Sequence, residues 1–292
     1  MKGLLPFVVC ALLAAAGAQA QELIVSYLEG DVQVRIGPAW TALSIGDAVP
    51  AAASVRVQGT GCVQLQGAGA KLFLNRAGTY AVRDLLASME QLAAKGVTSA
   101  LSRSLRYLAA GTAANQGTAS GARASNRGKS GDEEWKESSA AVFLEAGQEY
   151  LKAGRFDQAI EQFNEALESS TDSETPEIRY CLANATALSG DLRGAWKEIA
   201  GLTPGASDEW QADFVLLKAK LLVDSSAYAE AVDWLTANDL AGDAARSQLY
   251  FLLLGLGYRG AADDVNARKA LGMVVSTAAD SDLGRVATEL LK

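Results

Sequence analysis

The chain has 292 residues, 49% hydrophobic and 21% charged, with a formal net charge of −8 at pH 7. That length supports two domains with packed cores, and the acidic balance argues against nonspecific binding to nucleic acid or anionic lipid. Histidine is absent, which excludes His-based acid–base catalysis, Ser-His-Asp triads and His-ligated metal sites.

Residues 1–20 read as a cleavable secretory signal. Lys2 precedes an apolar run from Leu4 to Ala16, and Ala18-Gln19-Ala20 supplies a small-x-small cleavage site before Gln21. The run is too short to span a bilayer. Cys10 lies inside it behind Phe7-Val8-Val9, a setting unlike a lipidation signal. The expected mature protein is exported, periplasmic, and more acidic once Lys2 is lost. No later segment reads as a membrane span, so any membrane association is peripheral. Cys62 and Cys181 fall in different predicted domains, and no disulfide between them is expected. Cys62 is read as outward-facing on a strand, and Cys181 lies on a predicted helix.

Residues 21–82 carry short alternating segments. Val32, Val34 and Ile36 alternate with Gln33 and Arg35; Val55 and Val57 flank Arg56; Val63 and Leu65 alternate with Gln64 and Gln66. Leu72 and Leu74 follow, then Tyr80 and Val82. Turn signals separate them at Gly30-Asp31, Gly37-Pro38, Gly46-Asp47, Gly59 to Gly61, Gly67 to Gly69 and Gly78. The pattern predicts a small antiparallel β-sandwich or β-roll.

The order of these signals resembles the FecR domain, in Gly30-Asp31-Val32-Gln33-Val34, Trp40, Ile45-Gly46-Asp47, Val55-Arg56-Val57-Gln58-Gly59 and Lys71-Leu72-Phe73-Leu74. Two departures stand out. Gln58 occupies a position where Thr is common, and Gly67-Ala68-Gly69 replaces an Asp-Gly turn. In iron-uptake regulators this domain is periplasmic and follows a cytoplasmic anti-sigma segment and a membrane span. Neither reads from this sequence, so signalling across the inner membrane by this chain alone is not expected. Trp40 is the candidate ligand-binding residue of the β domain. The plainer reading has it packing over one end of the sheet.

Residues 83–110 predict one helix, with Leu85, Met89, Leu92, Leu101, Leu105 and Leu108 at helical spacing and Gly96 as a weak point. It could dock on the β domain, lie on a membrane surface or bind a partner, and few basic residues and no aromatic belt favour docking. Residues 111–139 are rich in Gly, Ala, Ser and Asn and read as a flexible linker.

Residues 140–292 repeat. Ala159, Ala195, Ala231 and Ala267 each stand 36 positions after the last. Gly147, Ala183, Ala219 and Gly255 keep the same spacing, as do the turn positions Gly154, Gly190, Ser226 and Ala262 and the bulky Phe163, Ile199, Leu235 and Leu271. A fixed period in this range predicts stacked helical hairpins. Small residues let the two helices of a hairpin approach, and the bulky residue fills the space beside them. The first unit, FLEAGQEYLKAGRFDQAIEQFNEA, resembles the tetratricopeptide repeat in Gly147, Tyr150, Ala159, Phe163 and Ala166. The fourth matches in part, with Leu254, Gly255, Tyr258, Ala267 and Leu271. Units two and three keep the Ala and the turn but lose the Tyr and Phe. The spacing exceeds the roughly 34 residues usual for that family. Residues 281–291 predict a capping helix.

The expected fold is thus a small antiparallel β domain followed by an all-α helical-hairpin solenoid of about four repeats. The second resemblance implies ligand binding on a concave face lined by the first helix of each pair. Counting from the anchors places Gln148 and Lys152, Tyr180 and Asn184, Lys220 and Asp224, and Leu252, Leu256 and Arg259 on it. Asp157, Asp191 and Asp263-Asp264 read as turn and capping residues. No phosphate loop, Cys pair or nucleophile elbow occurs. No catalytic, metal or cofactor site is expected. The predicted role is a non-catalytic envelope scaffold, binding proteins through the repeats and a glycan or membrane-protein domain through the β domain. The alternative is a ligand sensor in an envelope regulatory pathway.

Overall fold

The computed structural model describes residues 22–67, 69–108 and 139–292. The expected signal peptide (1–20), and the expected linker up to residue 138, lie outside the described residues.

The first region holds eight strands: β1 (Glu22–Glu29), β2 (Val32–Arg35), β3 (Thr41–Ala42), β4 (Ala48–Pro50), β5 (Ser54–Val57), β6 (Cys62–Gly67), β7 (Ala70–Leu74) and β8 (Gly78–Ala81). They form two antiparallel four-stranded sheets, ordered β4-β1-β6-β7 and β3-β2-β5-β8. Alternation explains the core. Val32 faces Val57 and Val34 faces Val55 across β2 and β5, while Val63 faces Leu74 and Leu65 faces Leu72 across β6 and β7. These side chains join Leu23, Val25, Leu43 and Val49 in one cluster between the sheets.

The simple alternation rule misses β1. Its inward residues change parity, from Leu23 and Val25 to the partly buried Leu28. A register shift between Val25 and Tyr27 absorbs the extra residue.

Within the expected 83–110 helix, the described residues do not form a single helix docked on the β region. The chain breaks into α1 (Val82–Ala94) and α2 (97–108). Gly96 takes φ +73 and its N–H caps Ala93 O at 2.9 Å, the left-handed end that glycine tolerates without cost. Val82 and Leu86 of α1 complete the sandwich core. Helix α2 packs instead on the helical region: Val97, Ala100, Leu101 and Leu105 are buried in its core.

The second region runs α3 (Ser139–Lys152), α4 (Phe156–Glu168), α5 (Thr175–Leu188), α6 (Leu192–Ile199), α7 (Gln211–Asp224), α8 (Tyr228–Ala237), α9 (Ser247–Gly260), α10 (Asp264–Thr277) and α11 (Asp282–Leu291). Successive helices pack on one another, and α3 also meets α5, α5 meets α7, α7 meets α9 and α9 meets α11. The four in-phase alanines are fully buried at the helix contacts. Gly154, Gly190, Ser226 and Ala262 all have positive φ, 74°, 89°, 58° and 62°. Each ends its helix in the same way. The left-handed residue's N–H and the following N–H turn back to helix carbonyls, as Gly154 to Leu151 and Arg155 to Tyr150, or Ala262 to Arg259 and Asp263 to Tyr258. Two buried clusters result, one across α3–α7 and one across α7–α11 with α2. Trp196 and Trp234 border both.

Candidate functional site

Four of the residues expected on the ligand face, Gln148, Asn184, Lys220 and Leu256, lie one 36-residue period apart on α3, α5, α7 and α9. All four are buried, as are Tyr180 and Leu252. Lys152 is partly exposed and pairs with Glu149 at 2.6 Å. Asp224 pairs with Lys220, and Arg259 donates to the Leu290 carbonyl. These positions share one side of the odd-numbered helices, but that side is filled rather than open.

Two features contribute to this burial. The first is an aromatic run that takes in Tyr180. Tyr180 stacks on Trp210 at 5.5 Å, Trp210 meets Phe214 edge-on at 5.9 Å, and Phe214 meets Trp234 at 6.4 Å. Burial drives the Tyr180 phenol well above its ordinary range, with the Asp213 charge adding to the shift. Sparse polar contacts remain. Asn184 Nδ2 reaches Tyr180 Oη at 3.5 Å, Gln148 Nε2 reaches Cys181 Sγ at 3.9 Å, and the buried Asn184 Oδ1 has no hydrogen-bond partner.

The second is α2. Lys95, just before it, donates to the Glu289 carbonyl at 2.8 Å, and Arg103 pairs with Asp282. The contacts therefore run in opposite directions along α2 and α11, so the helices are antiparallel. The buried stripe of α2 shares a core with Leu216 and Ala219 of α7, Leu252 and Leu256 of α9, and Leu283, Val286 and Leu290 of α11. At its other end the Arg106 guanidinium lies against Gly154, where a Cβ would come within 2.8 Å of Nη1.

Sequence reasoning did not find the Asp213–Arg246 pair. Asp213 is 1% exposed and accepts two bonds from Arg246, at 2.6 and 3.0 Å, while Arg246 also reaches Asp243 at 3.0 Å. Burial pushes the Asp213 carboxyl up against the opposing effect of the Arg246 contact, and that forked contact raises Arg246. The pair ties the start of α7 to the start of α9. Its signal was a lone Asp inside an apolar run, which spacing alone could not match to a partner.

The β region touches the helices through Arg76. Its Nε donates to Glu230 at 2.6 Å, and its guanidinium lies 5.2 Å from the centre of the Trp196 ring. Arg193 sits 4.2 Å from the Tyr27 ring on β1.

Trp40 is half-buried. Arg56 on β5 lies 3.9 Å from its ring centre and Arg35 on β2 lies 4.9 Å away. Neither arginine forms an ion pair among the described residues. This places one aromatic and two cations together on the second sheet.

Asp191 and Asp263 accept N–H bonds from Gly194 and Asn266 at 3.0 Å each, and so cap α6 and α10. Hydrogen bonds from Asn266 lower the Asp263 carboxyl pKa. Among the described residues no cluster of three or more His, Cys, Asp or Glu could hold a metal, and no helix is long and apolar enough to cross a membrane. No protein-family model and no curated protein matches this chain.

Proposed function

We propose that this protein is a non-catalytic adaptor of the cell envelope, exported to the periplasm. Its tetratricopeptide-like hairpins form a solenoid that docks proteins, and its FecR-like β domain engages a glycan or a membrane-protein domain. The observation that carries this reading is the in-phase hairpin series. The same four positions turn left-handed, and the odd helices pack side by side. Stacked hairpins of this kind offer long surfaces for partner chains. On the β side, Trp40 with Arg35 and Arg56 offers a stacking surface and positive charge for an anionic envelope ligand.

In-cell crosslinking of the tagged, exported protein, read by mass spectrometry, tests the proposal. Specific envelope proteins captured by the full chain are expected to disappear when residues 141–292 are removed. Full capture by the truncated chain would sink the adaptor reading.

A second reading makes the protein a ligand sensor. The Arg76 contact to Glu230 and Trp196 favours it, because that contact joins the β region to α8 and α6. Saturating ligand on the β domain is then expected to change hydrogen exchange in α6 and α8, and unchanged exchange would count against it.

A further inference from the structure

Helix α2 comes from the β side of the chain yet lies in the core of the helical region. Its apolar stripe, Val97, Ala100, Leu101 and Leu105, is spaced i, i+3, i+4, i+8, and all four side chains are buried. The surface beneath is a leucine-rich floor from α7, α9 and α11. Two basic side chains, Lys95 and Arg103, meet the Glu289 carbonyl and the Asp282 carboxylate. This is the pattern of an amphipathic helix in a groove, with apolar anchors beneath and basic side chains at its margin.

We infer that this floor is a receptor for amphipathic helices, that α2 is its resident occupant, and that a partner helix with the same stripe and basic side chains at the Lys95 and Arg103 positions binds by replacing α2. The inference rests on the adaptor reading for its use in the cell, and it names the class of partner. Three observations show why α2 can leave. Gly96, left-handed at φ +73, is a ready hinge between it and α1. Its salt bridge is exposed, with the Arg103 side chain 51% accessible, and such pairs hold weakly. Val82 and Leu86 anchor α1 in the β sandwich, so that of α1 only Leu92, near its end, shares the helical core with α2. A resident helix also keeps the floor from lying bare to nonspecific contacts. Its cost is a reduced apparent affinity for the partner, set by the fraction of molecules in which α2 is out.

The test uses a fluorescent peptide of residues 95–108 as the probe. The full chain is compared with the full-chain variant Leu101→Glu/Leu105→Glu, whose α2 cannot stay on an apolar floor. The variant is expected to bind the peptide at least about tenfold more tightly than the unaltered chain. An Arg103→Glu peptide is expected to bind the variant a few-fold less tightly and to recover when Asp282→Lys is added. Equal binding by both chains, or none by a variant that keeps its helical circular dichroism, overturns the inference. Should the variant unfold, hydrogen exchange on the unaltered chain decides. Amides of α2 are expected to exchange faster than those of α7 and α9, and faster again with excess peptide. Exchange of α2 in step with α7 and α9, unmoved by peptide, overturns it. The adaptor reading is judged separately, by envelope crosslinking, and survives a negative peptide result.

Discussion

A Cβ at Gly147 on α3 would lie 2.4 Å from Cε1 of Phe163 on α4. The ring is fully buried, so it cannot swing into solvent to make room. Gly147→Ala is therefore expected to force the hairpin apart and to cost about 1–3 kcal/mol. Urea denaturation checks this, and Phe163→Leu in the same chain should recover part of the loss. A change in stability under about 0.5 kcal/mol would show that the hairpin yields freely.

Ser226 and Ala262 occupy the left-handed position that Gly154 and Gly190 fill in the first two units. A Cβ in that conformation is strained by roughly 1–2 kcal/mol, of which the greater unfolded-state freedom of glycine returns part. Ser226→Gly and Ala262→Gly should each stabilise the protein by about 0.5–1 kcal/mol. Gly190→Ala is the complement. Its Cβ would meet nothing within 4 Å, so its loss would be backbone strain alone. Thermal melts of the three variants give the signs, and a loss of stability in both glycine variants would refute the strain argument.

What the sequence disclosed follows from what is local. The period of 36 placed every hairpin turn, because αL turns and small helix contacts recur as residue identities. Alternation placed the Val32/Val34 and Val55/Val57 faces but not β1, where a bulge changes parity at Ser26. The short β3 and β4, of two and three residues, carry too little pattern to read. The candidate residues were chosen by counting, and their burial was hidden. Nothing near Leu252 or Leu256 in sequence indicates that a helix some 150 positions earlier shares their core. The leucines of α2 signalled a buried stripe correctly, but an apolar stripe does not state which surface it covers. Asp213 and Arg246, 33 positions apart, were hidden for the same reason.

The contact between Arg76 and Glu230 is partly exposed, with side-chain accessibilities of 32% and 51%. Its strength should be modest and salt-dependent. Arg76→Glu sets two carboxylates against each other, and adding Glu230→Arg restores opposite charges. A double-mutant cycle on thermal stability is expected to give a coupling of about 0.2–1 kcal/mol at low salt. The coupling should shrink toward zero in 1 M salt, where the Debye length falls to about 3 Å. A coupling that is absent at low salt would mean that the contact contributes nothing to joining the two regions.

The two described cysteines are free and differ in setting. Cys62 is half-buried, and burial followed by the nearby Glu29 charge raises its thiol pKa. Cys181 is fully buried on α5, and burial raises its thiol much further. In the unfolded chain both revert to about 8.5. A folded pKa above the unfolded value means that the native state keeps a proton the unfolded state gives up. Stability from this source is therefore intact below pH 8.5 and is lost as pH rises beyond it. In a Cys62→Ala background, the slope from Cys181 should approach about 1.4 kcal/mol per pH unit well above pH 8.5. Cys181→Ala should flatten that slope whatever it does to stability at neutral pH. Iodoacetamide should modify Cys62 in the native protein and reach Cys181 only at the rate at which α5 opens. Rapid labelling of Cys181 without denaturant, or an equal pH slope after Cys181→Ala, would place that thiol outside the packed core.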